Sequence, residues 1–291
     1  MPRSIACGRF RLAVRRPPLV MGILNVTPDS FSDGGRAWRL ADAVRHAKHM
    51  AADGASVIDV GGESTRPKAD PVPLEEELRR VIPVIRALAK QLAVPLSVDT
   101  SKAEVARQAI AAGASMVNDV TALRGDLRMA EVVAASRVPV VLMHMQGTPA
   151  TMQEHPRYRH VVEDVRAFLI ERIRAARRAG IRRDQILIDP GIGFGKLLQH
   201  NLALLRDVDV FVRMGFPVVL GPSRKSFIGG VLGAELPDRL PGTLACVAYA
   251  AQHGVQIVRV HDIKPAVQVA RMWHAIADPK TASVRRRCAL A

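Results

Sequence analysis

The chain has 291 residues, 48% of them hydrophobic and 24% charged, which sets it inside the globular range and excludes disordered and collagen-like classes. Its formal net charge of +15 comes from 42 Lys and Arg against 27 Asp and Glu. The excess is spread along the chain and does not interleave with the few aromatic residues. It therefore fits a solvated basic surface or a field for anionic ligands better than a nucleic-acid footprint.

Three cysteines, Cys7, Cys246 and Cys288, form no C-x-x-C pair and predict neither a disulfide framework nor structural zinc. No apolar run approaches the ~18–20 residues of a membrane span, and the N-terminal stretch lacks a small-residue cleavage site. The expectation is a cytoplasmic protein with no membrane partner.

In chain order, residues 1–16 read as an N-terminal segment. Eight short apolar runs follow: Leu19–Val26, Ser56–Gly61, Pro95–Asp99, Ser115–Asp119, Pro139–Met145, Gln185–Asp189, Pro217–Gly221 and Gln256–His261. Each predicts a buried strand. The segments between them carry apolar residues at helical spacing, as in Val161, Val165, Phe168, Leu169, Ile173 and Ala176. Eight strand–helix units predict an α/β fold of a single (β/α)8 TIM barrel over 17–278, near the ~250 residues such a barrel takes. Residues 279–291, with Arg285–Arg287, predict a basic disordered tail. The dinucleotide and P-loop fingerprints both fail at Gly191–Lys196, where Lys196 stands in the third glycine position and Leu197 in the Ser/Thr position.

The strands end on polar groups: Asn25, Asp59, Asp99, Asn118, His144, Asp189, Ser223 with Lys225, and Arg259 with His261. In a parallel barrel these ends converge on the C-terminal mouth, where the active sites of this fold lie. Carboxylates and carboxamides in one pocket match a planar heterocycle with donor and acceptor edges. Arg259 and His261 share one strand face and predict an anion clamp, with Asn25 able to offer a neutral oxygen to Mg²⁺ on a phosphate. The loop Gly61–Pro67 predicts an anion or co-substrate site, and Asn25–Gly35 predicts a lid. His46 and His49 are expected on the surface, and Asp119, Thr100 and Ser101 as turn and helix caps.

Met21–Gly35, Gly61-Gly-Glu-Ser-Thr-Arg-Pro67, Val98-Asp-Thr100, Asn118-Asp119, Leu142–Gly147, Asp189-Pro-Gly-Ile-Gly-Phe-Gly-Lys196, Ser223-Arg-Lys225 and Arg259-Val-His-Asp262 together resemble the dihydropteroate synthase family, in that family's order. The resemblance implies condensation of 6-hydroxymethyl-7,8-dihydropterin pyrophosphate with 4-aminobenzoate in folate synthesis, with Mg²⁺ as cofactor. It implies that Asp99, Asn118, Asp189 and Lys225 hold the pterin, with Met143 packing against it, and that Asn25, Arg259 and His261 hold pyrophosphate, Asn25 together with the metal. Asp99, Arg259 and His261 would then be catalytic. Phe31, Thr65, Arg66, Pro67, Phe194 and Ser226 would form the aminobenzoate site, which sulfonamides occupy in the family. The resemblance further implies a homodimer. A catalytically weak pterin-binding paralogue and a pterin-dependent methyltransferase domain are the alternatives.

Overall fold

The computed structural model describes residues 4–14, 17–26, 40–67 and 69–281. The expected lid from residue 27 onward, with Phe31, and the expected tail from 282 onward lie outside the described residues, whereas the first three residues of that tail, Pro279–Thr281, are ordered as a 3-10 turn.

The chain opens with an antiparallel hairpin, β1 (Ser4–Cys7) and β2 (Phe10–Ala13). The strand–helix alternation then begins. β3 (Leu19–Asn25), α1 (Leu40–Ala52), β4 (Val57–Gly61), α2 (Leu74–Ala89), β5 (Leu96–Asp99), α3 (Ala103–Ala112), β6 (Met116–Asp119) and α4 (Met129–Ser136) make up the first half. β7 (Val140–Met143), α5 (Val161–Arg178), β8 (Ile186–Asp189), α6 (Leu198–Arg206), α7 (Asp209–Val212), β9 (Val219–Leu220), α8 (Ser226–Leu232), α9 (Leu240–Gln252), β10 (Ile257–Val260) and α10 (Ile263–Ala277) complete it. The eight strands β3–β10 are those expected, each within its predicted run.

All eight are parallel, in the order β8-β7-β6-β5-β4-β3-β10-β9, and a bridge from Ile188 to Val218 joins the two ends of the sheet. The sheet is thereby curled into a nearly closed barrel, whose inward side chains stack in layers. The lowest layer contains Met21, Val57, Met116, Val141, Leu187, Val219 and Ile257, and Ile5, Cys7 and Leu12 of the hairpin pack against it. The β1–β2 hairpin is thus a plug for the N-terminal end of the barrel. The larger apolar cluster lies between the strands and the outer helices.

Register then sets which groups meet at the other end. Asp99 stands opposite Gly61 on one side and Asn118 on the other, and Met143 stands opposite Asp189. Gly61 lies directly beside that carboxylate, since a Cβ there would be 3.4 Å from the Asp99 Cβ.

Among the described residues no helix is long and apolar enough to cross a membrane. His46 and His49 are exposed, as expected. Asp119 caps the following turn by accepting from the Thr121 and Leu123 amides at 2.8 and 2.7 Å.

Candidate active site

Four strands supply the centre of the mouth. Arg259, on β10, donates from Nε to Asp59 Oδ2 and from Nη2 to Asp99 Oδ2, both at 2.6 Å. Asn118 Nδ2 donates to the same Asp59 oxygen at 3.0 Å. Asp59 is fully buried, and Asp99 and Asn118 nearly so.

The remaining oxygens, Asp59 Oδ1 and Asp99 Oδ1, are buried and have no hydrogen-bond partner among the described residues. A buried acceptor left open costs about 1–3 kcal/mol, so a ligand bringing two N–H donors would recover that cost. Burial raises the Asp99 carboxyl to about 7, against the pull of the Arg259 charge. Burial also works against the Arg259 cation, but Asp59 and Asp99 outweigh it and hold that group above its usual value.

Asp189 closes the next side. Its Oδ1 accepts the Gly191 amide at 2.7 Å, and burial raises its carboxyl to about 6. Lys225 lies near enough for its charge to act on Asp189, and is itself lowered to about 8, by burial first and then by Arg259. Its Nζ sits 3.9 Å from the centre of the Phe194 ring, a cation–π contact.

The Gly191–Lys196 loop makes this possible. Gly191 has φ +69, and a Cβ there would run into the His144 carbonyl. Gly193 has φ +83, and a Cβ would come 2.9 Å from Lys225 Cδ. Both positions require glycine for conformation and for space. Met143 and Phe194 belong to one apolar cluster with Val120, Met145 and Met152, which gives the polar mouth a greasy wall.

His261 follows the end of β10. Its Nδ1 and the Ser223 hydroxyl lie 3.0 Å apart, and its own amide donates to Ser223 Oγ at 3.2 Å. Burial, then the Arg259 charge, lowers its pKa to about 3, so the ring is neutral at neutral pH. The expected anion clamp therefore consists of one cation, tied to two carboxylates, and one neutral imidazole.

Lys225 is delivered by Arg224, a residue at φ +56 whose guanidinium forks onto the Asp262 carboxylate and whose amide donates to Thr243 Oγ1 at 3.0 Å. The left-handed backbone is a strained conformation for a non-glycine residue, held by these three bonds.

Asn25 ends β3 and is half-buried. Thr65 is half-buried, while Arg66, Pro67 and Ser226 are exposed at the rim. The charge of Arg66 bears on Lys225, which brings the β4–α2 loop to the same side as the β9–α8 loop.

Lys196 had no expected role, and Asp59 only that of one strand-end acid among several. Lys196 is buried with its Nζ 2.9 Å from His144 Nδ1 and 2.9 Å from the Phe194 carbonyl. Asp59 was legible as a strand acid, but its partner Arg259 is 200 residues away, and no local pattern announces such a pair.

The parallel barrel thus carries buried acids, a carboxamide and a lysine around unpaired acceptors at one mouth. The model of the pterin-binding enzyme family matches residues 21–261, and the chain belongs to that family. Dihydropteroate synthase of Escherichia coli strain K12 is 50% identical over 263 residues, which cover 90% of this chain and 93% of that one. The structure of Xanthomonas albilineans dihydropteroate synthase with 4-aminobenzoic acid has a TM-score of 0.90 at 49% identity, covering 96% of this chain and 99% of that chain. The Xanthomonas albilineans enzyme in complex with 7,8-dihydropteroate has a TM-score of 0.86 at 47% identity, covering 94% and 99%.

Proposed function

We infer that this chain condenses 6-hydroxymethyl-7,8-dihydropterin pyrophosphate with 4-aminobenzoate, giving 7,8-dihydropteroate and pyrophosphate. The observation that carries the reading is the pair of open, buried acceptors on Asp59 and Asp99, held by one guanidinium in a mouth that also contains Asn118, Asp189 and Lys225. A pterin presents ring N–H and amino donors on one edge and a lactam oxygen on another. Acids facing the first edge and Lys225 facing the second would fix its orientation.

On this reading Asp99, Asn118, Asp189 and Lys225 bind the pterin, and Met143 packs on it. Asn25, Arg259 and His261 receive the pyrophosphate, and Thr65, Arg66, Pro67, Phe31, Phe194 and Ser226 receive 4-aminobenzoate. Nε and Nη2 of Arg259 are taken by carboxylates. Its phosphate contact therefore requires the Nη1 edge or a shift of the guanidinium away from Asp99. His261 acts as a neutral donor oriented by Ser223.

The chemistry asks little covalent work of the protein. The amine nitrogen bonds to the pterin methylene carbon, the carbon–oxygen bond breaks with its electron pair leaving on pyrophosphate, and one amine proton passes to solvent. The electron-rich ring spreads the positive charge that develops on the methylene. The buried carboxylates favour that charge, Arg259 and His261 stabilise the departing anion, and Met143 and Phe194 keep water from the carbon.

Among the described residues no cluster of three or more His, Cys, Asp or Glu forms a metal cage. An Mg²⁺ carried on a pyrophosphate needs only one or two protein oxygens, and the Asn25 carboxamide fits that demand. When bound, the ion would neutralise charge on the leaving group. A cytoplasmic homodimer is the location and assembly that go with the reading.

The test is to mix the protein with pterin pyrophosphate, 4-aminobenzoate and Mg²⁺ and assay both products. Equal amounts of pyrophosphate and dihydropteroate are expected. Tight pterin binding without either product would point instead to the weak paralogue.

A further inference from the structure

Lys102 lies outside the mouth, three residues beyond Asp99, just before α3. Its ammonium is gripped from two sides, by Glu63 of the β4–α2 loop and by Glu77 of α2, the latter at 2.6 Å. Glu77 is completely buried, whereas Lys102 and Glu63 are each about one-quarter exposed at the side chain, 26% and 23%.

Glu63 has a second duty. Its Oε1 accepts the Val72 amide at 3.2 Å, so one side chain fastens both ends of the loop containing Thr65, Arg66 and Pro67. The start of that loop is pressed onto the same cluster, since a Cβ on Gly62 would meet Val81 at 2.6 Å and Glu77 Cγ at 3.1 Å. Arg80 completes the anchorage by donating to the Gly62 carbonyl at 2.9 Å while bonding Glu76 at 2.7 Å.

We propose that Lys102, through Glu63 and Glu77, is the positioning residue that sets loop residues 62–67 and 69–72 relative to the pterin-binding strand β5. The proposal rests on the function given above, in which this loop receives 4-aminobenzoate. An ordinary exposed ion pair contributes little. Here one carboxylate is fully buried and the other is the loop's own fastener, so the energy of the contact is spent on geometry. Thr100 fixes the base of Lys102 by accepting its amide at 3.2 Å, and the Asp126 carboxylate does the same for Ala103 at 3.0 Å. These bonds anchor the chain just beyond Asp99, so that Lys102 hands the position of the pterin acid to the neighbouring loop.

The decisive variant is Glu63→Gln, which cuts the tether to Lys102 but leaves the buried Lys102–Glu77 pair intact and can still accept from Val72. Steady-state kinetics should show KM for 4-aminobenzoate raised about tenfold, with KM for the pterin pyrophosphate and kcat within about twofold of wild type. Lys102→Arg, which keeps a cation between both carboxylates, should leave KM for 4-aminobenzoate near wild type. Unchanged KM for 4-aminobenzoate in a folded Glu63→Gln variant, or equal losses in every parameter, would overturn the proposal. Wild-type turnover tests the assigned reaction separately. If wild type proved inactive, hydrogen exchange would still decide the positioning claim, because amides of 62–66 and 69–72 should lose protection in Glu63→Gln while β5 keeps its own.

Discussion

Arg259 and Asp99 are 160 residues apart in the chain and form a 2.6 Å ion pair across the barrel mouth, on strands separated in the sheet by β3 and β4. Asp59, on β4, takes the other side of the same guanidinium. This two-pronged hold fixes the cation and leaves one oxygen of each carboxylate open. The geometry depends on the planar fork of arginine.

Arg259→Lys should therefore fold but fail in catalysis, because a point ammonium cannot serve both acids and an anion. With both substrates saturating, pyrophosphate release is expected to fall about 10²- to 10³-fold, the usual cost of one donor made in the transition state. A stopped assay for pyrophosphate checks it, and a rate within threefold of wild type would remove Arg259 from the chemistry.

The pH profile follows from the buried groups. Burial raises Asp189 to about 6 and Asp99 to about 7, and lowers Lys225 to about 8. An acid with a raised value loses its charge as pH falls through that value, and a lysine with a lowered one loses its charge as pH rises through it. kcat/KM for the pterin pyrophosphate should thus decline below pH about 6–7 and above about 8, since it reports the free enzyme. Asp189→Asn should lower the plateau and shrink the acid limb, while Lys225→Met should abolish the alkaline one.

Lys196 makes a stability prediction. Burial lowers it to about 7 from a usual value of 10.5, so between those pH values the unfolded chain binds the proton that the folded chain has shed. Stability from this group must then rise with pH across that window, and the cost of burying the charge is fully present below about 7. Urea midpoints of wild type relative to Lys196→Met should climb from pH 7 to pH 10, and parallel curves would show that Lys196 is not the buried base described.

Gly193 separates space from fold. Alanine at φ +83 is strained by about 1–2 kcal/mol, and its methyl would press on Lys225 Cδ. Gly193→Ala is expected to raise the Kd for pterin pyrophosphate about tenfold, measured by calorimetry, with the Kd for 4-aminobenzoate less affected.

Much of this was legible in the sequence because parallel strands buried on both faces read as short apolar runs, and their polar ends mark the mouth. Asp99, Asn118, Asp189 and Arg259 stood out for that reason. β9 is shorter than its predicted run, as Pro217 has no amide to donate and only its carbonyl joins the ladder, accepting from Ile188 at 3.0 Å. The hairpin plug was not legible, since four-residue strands around Gly8 give too little period to distinguish from a coil. Neither was the neutrality of His261, which arises from burial and a nearby cation rather than from its place beside Arg259. Lys102, Glu63 and Glu77 escaped for a similar cause: each looks like an ordinary surface charge until α2 and α3 bring them together.

The most direct measurement is calorimetric titration of pterin pyrophosphate with Mg²⁺ into wild type and into Asp99→Asn, Asp189→Asn and Lys225→Met, each shown to be folded by its circular dichroism. If groups from three separate strand ends grip one ring, every variant should bind at least about tenfold more weakly than wild type. Wild-type affinity retained in all three would contradict a shared pterin site at the C-terminal mouth.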